Sequence, residues 1–238
     1  MPNYYPIMLD VRGRTAIVIG GDRVAAEKAA NLNACGAQVT VQSAAFCDEL
    51  LDLARSKAVN LRYKAYEHGD LADAFVVVAA VTYEPALVEA VWSEAQERGQ
   101  LVNIVDVPAR CNFILPSILR RGQLTITVST EGASPSLAKR IRQRLEGLFP
   151  AAYDVYLQLA AIARAHIKRN GVSYEERDVF FGEFFESEIL ELLVEGDEVE
   201  ALATVVRLLR RRGIDISVAT IVSELKETAT KDGSYHNA

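Results

Sequence analysis

Three clusters in this chain combine residue types and spacings suited to chemistry. The first is Gly20-Gly21-Asp22-Arg23-Val24-Ala25, which follows an apolar run and opens a helical one. Glycines at such a turn let a pyrophosphate approach the backbone, and the free N–H groups of a helix start favour its charge. The run meets a dinucleotide fingerprint at its first position and, with alanine allowed, at its last. Asp22 replaces the middle glycine and adds a β-carbon and a negative charge, so binding requires its carboxylate to turn toward solvent. The acid that usually holds an adenine ribose about 20 residues further on is absent, because the second apolar run ends Val41-Gln42-Ser43. The residues placed to border a dinucleotide are Gly20, Gly21, Asp22, Arg23 and Val24, with Ala44 and Ala45 beyond that second run. Glycines that only pack a tight turn would leave the same pattern.

The second cluster is Asp106 with Asn103, at the end of Leu101-Val102-Asn103-Ile104-Val105. Open α/β sheets bind ligands at the carboxyl ends of their strands, where a carboxylate can take a proton. A turn aspartate before Pro108 is the structural alternative. The third is Ser129-Thr130-Glu131-Gly132-Ala133-Ser134-Pro135, a hydroxyl-rich loop leading into a helix that carries Lys139, Arg140, Arg142 and Arg144. A helix start beside cations suits a polycarboxylate, and a solvated basic face is the plainer reading. The three histidines, His68, His166 and His236, are too scattered for a metal cage, and Cys111 reads as a small buried thiol.

The elements that must position these residues follow from periodicity. Thr15 to Ile19, Gln38 to Val41, Phe75 to Ala80 and Leu101 to Val105 are apolar runs of the kind found in strands buried on both faces, with a short strand at Asn60 to Tyr63. Helical spacing separates them at Val24 to Leu32, Phe46 to Lys57 and Glu84 to Glu97, and Gly36 supplies a left-handed stop. The alternation predicts an α/β fold, a Rossmann-like doubly wound parallel sheet over residues 1–112. Phe113 to Leu119 and Leu124 to Ser129 then read as an antiparallel pair, followed by a helix with Ser134 at its N-cap and Pro135 at its first position. Together they form a small segment, 113–150. Helical periodicity with breaks near Asn170-Gly171, Gly196 and Gly213 predicts a helical domain over 151–226, and 227–238 reads as a polar, frayed tail.

Composition removes whole classes. The 238 residues, 50% hydrophobic and 24% charged, contain ample core material and no signature of disorder. A net charge of −6 argues against nucleic acid as a partner. Three cysteines without paired spacing fit a reducing cytoplasm, and no apolar run is long enough for a membrane span. The N-terminus has no secretory pattern.

Four ordered motifs sharpen the reading: Ile17-Val18-Ile19-Gly20-Gly21-x-x-Val24-Ala25-x-x-Lys28-Ala29, Asn103-Ile104-Val105-Asp106-x-Pro108, Phe113-Ile114-x-Pro116-Ser117 and Val128-Ser129-x-x-Gly132-x-Ser134-Pro135. Together they resemble the precorrin-2 dehydrogenase and sirohydrochlorin ferrochelatase family, the N-terminal module of siroheme synthase. The likeness is collinear from Tyr5 to Pro150 and weaker near Phe180 to Phe185. It implies NAD-dependent oxidation of precorrin-2 to sirohydrochlorin, then insertion of ferrous iron as a substrate, by a cytoplasmic homodimer whose middle segment dimerises. It also implies that a chain without the methyltransferase of some relatives does not make precorrin-2 itself. The family's central aspartate falls on Asp106, its asparagine on Asn103, and its phosphate loop on Gly20 and Gly21. Thr130 joins Asp106 and Asn103 as a catalytic candidate, while Ser129, Ser134, Lys139 and Arg140 are candidates to hold the tetrapyrrole carboxylates. Two departures stand out: Asp22 replaces the family's third consecutive glycine, and Thr130 replaces a serine. A tetrapyrrole-binding or chelatase-only protein with impaired NAD use is the alternative that Asp22 favours. A Rossmann oxidoreductase acting on another small metabolite is a third reading, which the basic helix fits poorly.

Overall fold

The structure is a computed structural model that describes residues 4–81 and 84–234, with side chains to residue 228. The chain divides into two compact units between Leu115 and Pro116. The break falls there because Phe113, just after the last strand of the first unit, packs against that unit's core.

The first unit holds a five-stranded parallel sheet of β1 (Thr15–Ile19), β2 (Gln38–Ser43), β3 (Asn60–Tyr63), β4 (Val76–Ala79) and β5 (Leu101–Ile104), in the order β3-β2-β1-β4-β5. Alternation along the strands sends side chains to opposite faces. On one face Ala16, Val18, Val39, Val41, Val76 and Val78 pack against helices α1 (Arg23–Ala34) and α2 (Asp48–Arg55). On the other, Ile17, Ile19, Val77, Val102 and Ile104 pack against α3 (Pro85–Glu97). Helix α1 turns Ala25, Ala26 and Ala29 to the sheet, and side chains this small let helix and sheet approach closely. Both faces are therefore covered, as the unbroken apolar runs require.

Helix α2 is shorter than its periodicity suggests. It starts at Asp48 because Cys47 N–H donates to the Gly21 carbonyl at 2.7 Å, tying the loop after β2 down to the turn after β1.

The second unit opens with an antiparallel hairpin of β6 (Ser117–Arg121) and β7 (Leu124–Val128), turned at Gly122. The expectation of a strand from Phe113 is corrected, since β6 begins only at Ser117. Pro116 has no N–H to give a ladder, and Asn112 and Phe113 are fastened to β5. Helix α4 (Pro135–Leu148) packs on the hairpin and starts where Ser134 caps it, as the serine-proline pair requires. Helices α5 (Tyr153–Arg169), α6 (Tyr174–Phe185), α7 (Ile189–Glu195), α8 (Glu198–Arg210) and α9 (Val218–Ser234) surround a core of Tyr156, Leu159, Phe180, Phe184, Ile189, Val205 and Leu209. The breaks at Gly171, Gly196 and Gly213 fall where expected. A further break between α6 and α7 had no glycine to signal it; Ser187 Oγ donates to Phe184 O there. The frayed tail expected from 227 is corrected for 227–234, which continue α9, while 235–238, including His236, lie outside the described residues.

Candidate functional site

At the carboxyl edge of the sheet, Ile19, Ala79 and Ile104 stand in register across β1, β4 and β5. Strands about 4.8 Å apart place the ends of β1 and β5 roughly 10 Å from each other. Gly20-Gly21 and Asp106 therefore flank one edge, at the point where strand order reverses.

Gly20 and Gly21 are fixed by the chain's own packing. At Gly20, with φ +137°, a β-carbon would come within 2.9 Å of the Ala80 carbonyl, and at Gly21 one would lie 1.8 Å from the Ala45 carbonyl. Ala45 thus borders the glycine turn, with Ala44 beside it. Asp22 is exposed, as the sequence suggested, and its carboxylate is also engaged. Its carboxylate folds back and accepts the Ala25 N–H at 2.9 Å, capping α1, while its carbonyl takes the Ala26 N–H. Among the described residues nothing occupies the N–H groups of Arg23 and Val24. The Arg23 guanidinium is exposed and pairs with Glu49 at 2.7 Å. A dinucleotide fits this turn, since two glycines leave the backbone bare and two amides are free. It meets the charge of Asp22 where its own phosphate charge would sit.

At the end of β2, Gln42 is buried. Its Nε2 donates to Asp70 Oδ2 at 2.7 Å and to Ala65 O at 3.2 Å. Burial pushes the Asp70 carboxyl upward, but hydrogen bonds from Gln42, Lys64 and the Glu67 N–H win and hold it at about 2.

Asp106 lies two residues past β5 with φ +60°, exposed, and none of the described residues donates to its carboxylate. The left-handed backbone is uncommon for a side chain other than glycine, with aspartate and asparagine the usual exceptions. The outer edge of β5, which has no strand beside it, is closed by residues 111–113. Asn112 Oδ1 accepts Val102 N–H at 2.8 Å, Asn112 Nδ2 donates to Gln100 O at 2.7 Å, and Asn112 N–H donates to Val102 O at 3.0 Å. Cys111 Sγ accepts Ile104 N–H at 3.2 Å and lies 3.3 Å from Ile104 O and 3.4 Å from Val107 O. Burial pushes the Cys111 thiol up, so it remains an S–H donor. Half-buried Asn103 spends its amide on Phe113 O at 3.0 Å and on Cys111 Sγ at 3.7 Å. The sequence reading missed Asn112, which carries no local signal.

It also missed Glu94, a fully buried carboxylate on α3. Burial raises its pKa, but donors from Tyr66 at 2.6 Å, Gly69 N–H, Arg98 and Leu71 N–H lower it overall. Desolvation and that carboxylate push the Tyr66 phenol up. An acid between Val91 and Ala95 on the buried face of α3 was a legible signal.

In the second unit, the loop from Ser129 to Ser134 is braced by its own hydroxyls. Ser129 Oγ accepts Glu131 N–H, Thr130 Oγ1 accepts Ser134 N–H at 3.0 Å, and Ser134 Oγ accepts Leu137 N–H. Ser129 and Thr130 each keep a hydroxyl proton to donate, while Ser134 Oγ also lies 3.3 Å from Ser136 Oγ. Lys139 and Arg140 are exposed on α4, whereas Arg142 pairs with Glu146. Arg121 donates to the Phe149 carbonyl. His68 lies near Glu94 and Glu97, and His166 contacts Glu224 at 2.9 Å. No group of three metal-ligating side chains exists among the described residues.

A parallel sheet in the order 3-2-1-4-5, with a glycine turn after its central strand, makes the first unit a Rossmann-type α/β protein. Residues 7–117 match a family model described as putative NAD(P)-binding, and residues 121–148 one described as sirohaem biosynthesis protein central. Siroheme synthase of Nitrosococcus oceani is 36% identical over 83% of this chain and 42% of that protein. That of Nitrosospira multiformis is 37% identical over 84% of this chain and 43% of that protein. The chain thus spans less than half the length of these relatives. The solved structure of SirC, precorrin-2 dehydrogenase, superposes with a TM-score of 0.71 at 27% identity, covering 85% of this chain and 98% of that one. The chain is thus similar to siroheme synthases over less than half their length and to a precorrin-2 dehydrogenase over nearly all of its length.

Proposed function

We propose that this protein oxidises precorrin-2 to sirohydrochlorin with NAD and that the same site serves insertion of ferrous iron, a substrate, to give siroheme. The observation that carries the reading is Asp106: an unpaired carboxylate held beyond β5, across the switch point from the Gly20-Gly21 turn. When bound, NAD supplies the hydride acceptor. Gly20, Gly21 and the N–H groups of Arg23 and Val24 would hold its pyrophosphate, with Ala44 and Ala45 bordering the turn. Asp106 takes the proton that precorrin-2 releases on oxidation. During chelation two pyrrole N–H protons leave as iron enters, and Asp106 accepts from that position as well. On the second unit, Ser129, Thr130 and Ser134 carry hydroxyl donors, and Lys139 and Arg140 carry charge of the kind that pairs with carboxylates.

The helix-capping carboxylate of Asp22 favours a second reading, a tetrapyrrole binder or chelatase with impaired NAD use. An anaerobic spectral assay with precorrin-2, with and without NAD and then with ferrous iron, separates the two. Sirohydrochlorin formed only when NAD is present supports the dehydrogenase; iron insertion without NAD-dependent oxidation supports the second reading.

The working molecule is a homodimer built through residues 113–150. Support comes from the hairpin, whose strands pair with no other strand among the described residues, and from α4, which leaves Leu137 48% and Leu148 69% exposed. A two-stranded hairpin is marginal alone, and a second copy would cover it. The cytoplasm is the fitting compartment for its free cysteines, and no helix among the described residues is long and apolar enough to cross a membrane.

A further inference from the structure

We infer that Cys111 and Asn112 are positioning residues for Asp106, holding the turn that aims its carboxylate. The inference rests on the reading of Asp106 as the base. Strand β5 is the last in its sheet, so its outward N–H and C=O groups have no neighbouring strand. A bare edge of that kind frays or pairs elsewhere. Here the outward groups from the Gln100 carbonyl to Ile104 meet residue 111 or 112, while the Gln100 N–H goes to Ala95 O. The Asn112 side chain takes the place of a strand's peptide group, accepting from Val102 and donating to Gln100. One position further, Cys111 Sγ accepts Ile104 N–H and its S–H reaches the carbonyl of Ile104 or of Val107. Those two carbonyls bracket Asp106. The Val107 N–H to Ile104 O bond of 3.1 Å closes the same turn. The sulfur therefore accepts Ile104 N–H before a turn whose middle holds Asp106 at φ +60° and lies 3.4 Å from the Val107 carbonyl after it, bracing a backbone conformation that few side chains adopt. The Asp106 side chain makes no bond of its own among the described residues, so its direction comes from its backbone, and its backbone is set by the sulfur. Alternatives for these groups are weaker. The Asn112 side chain is committed to the edge of β5 through both its oxygen and its nitrogen, and a thiol raised by burial is a poor nucleophile.

Cys111→Val tests this. Residue 111 has extended backbone at φ −127° and ψ 135°, which a β-branched side chain accepts, so valine fills the volume without the hydrogen bonds. We expect kcat for precorrin-2 oxidation to fall by about ten- to a hundred-fold, as misplacement of a reacting group by about 1 Å does. KM for both substrates should stay unchanged. Cys111→Ser, which keeps a donor and an acceptor there, should restore most of kcat. In an Asp106→Asn background Cys111→Val should cost nothing further, because its whole effect passes through the lost carboxylate. Should Cys111→Val fail to fold, Asn112→Ala opens the same edge and is read the same way. Unchanged kcat in a folded variant, or an equal loss in both backgrounds, overturns the inference. If Asp106→Asn is itself fully active, the assignment of Asp106 as base fails first, which distinguishes the two failures.

Discussion

Asp106 combines an uncommon backbone with an unpaired carboxylate, and that pairing makes asparagine an informative replacement. Asparagine is nearly isosteric and tolerates the left-handed region as well as aspartate does. Asp106→Asn should therefore melt at the wild-type temperature while turnover of precorrin-2 and iron insertion fall by about two to four orders of magnitude, the usual cost of losing a general base. Near-normal rates in the folded variant would remove Asp106 from the mechanism. Asp22 poses a different question, because one carboxylate both caps α1 and opposes a bound pyrophosphate. Asp22→Asn keeps a good cap and removes the charge, so NAD affinity should rise about fivefold, the equivalent of about 1 kcal/mol. Asp22→Gly should gain similarly at a cap cost of only a few tenths of a kcal/mol. Titration calorimetry at low and high salt checks the origin, since a charge effect shrinks on screening. Absence of NAD binding in wild type and both variants would favour the chelatase-only reading.

At the scale of elements, the loops around the sheet are held by buried polar groups rather than by local propensity. Asp70 is one such anchor, joining Lys64 and Gln42 at the end of β2. Its folded pKa of about 2 lies below the unfolded value of about 3.9. The stabilisation is thus complete above about pH 4 and is lost as pH falls through about 2, amounting to about 2 kcal/mol. Asp70→Asn should cost about that much at neutral pH in urea unfolding, and the gap to wild type should close on acidification. A gap that stays constant with pH would show that the charge is not what Asp70 contributes. Gly21→Ala acts between two elements, driving a β-carbon into the Ala45 carbonyl. Backbone cannot yield there as a flexible side chain would, so a loss of at least about 2 kcal/mol is expected by thermal melting. An unperturbed melt would mean that the loop after β2 moves freely off the turn.

For the whole molecule, the two units differ in how fully they satisfy themselves. The first buries its sheet on both faces within one chain. In the second, Ala138 is the residue that α4 buries, while Leu137 and Leu148 remain open beside a two-stranded hairpin. We expect a dimer in sedimentation at micromolar concentration, and Leu148→Glu together with Leu137→Glu to shift it toward monomer. A wild-type monomer with this segment ordered would contradict the dimer.

The sequence alone determined the strands and helices of the first unit, the glycine turn, and the start of α4 at Ser134-Pro135. Those features are written in local periodicity and in caps that reach three residues, so no distant partner is needed to read them. It also located Asp106 at the carboxyl edge of the sheet. Tertiary structure decided the rest. That exposed Asp22 also caps α1 was decided by the helix geometry. The left-handed turn at Asp106 depends on a sulfur five residues away and on an asparagine that completes the edge of β5. Glu94 was an acid on an apolar helix face until Tyr66 and Gly69, 28 and 25 residues distant, supplied its donors. Partners so far apart in sequence leave no pattern in either stretch, because what joins them is the packing of α3 against the sheet.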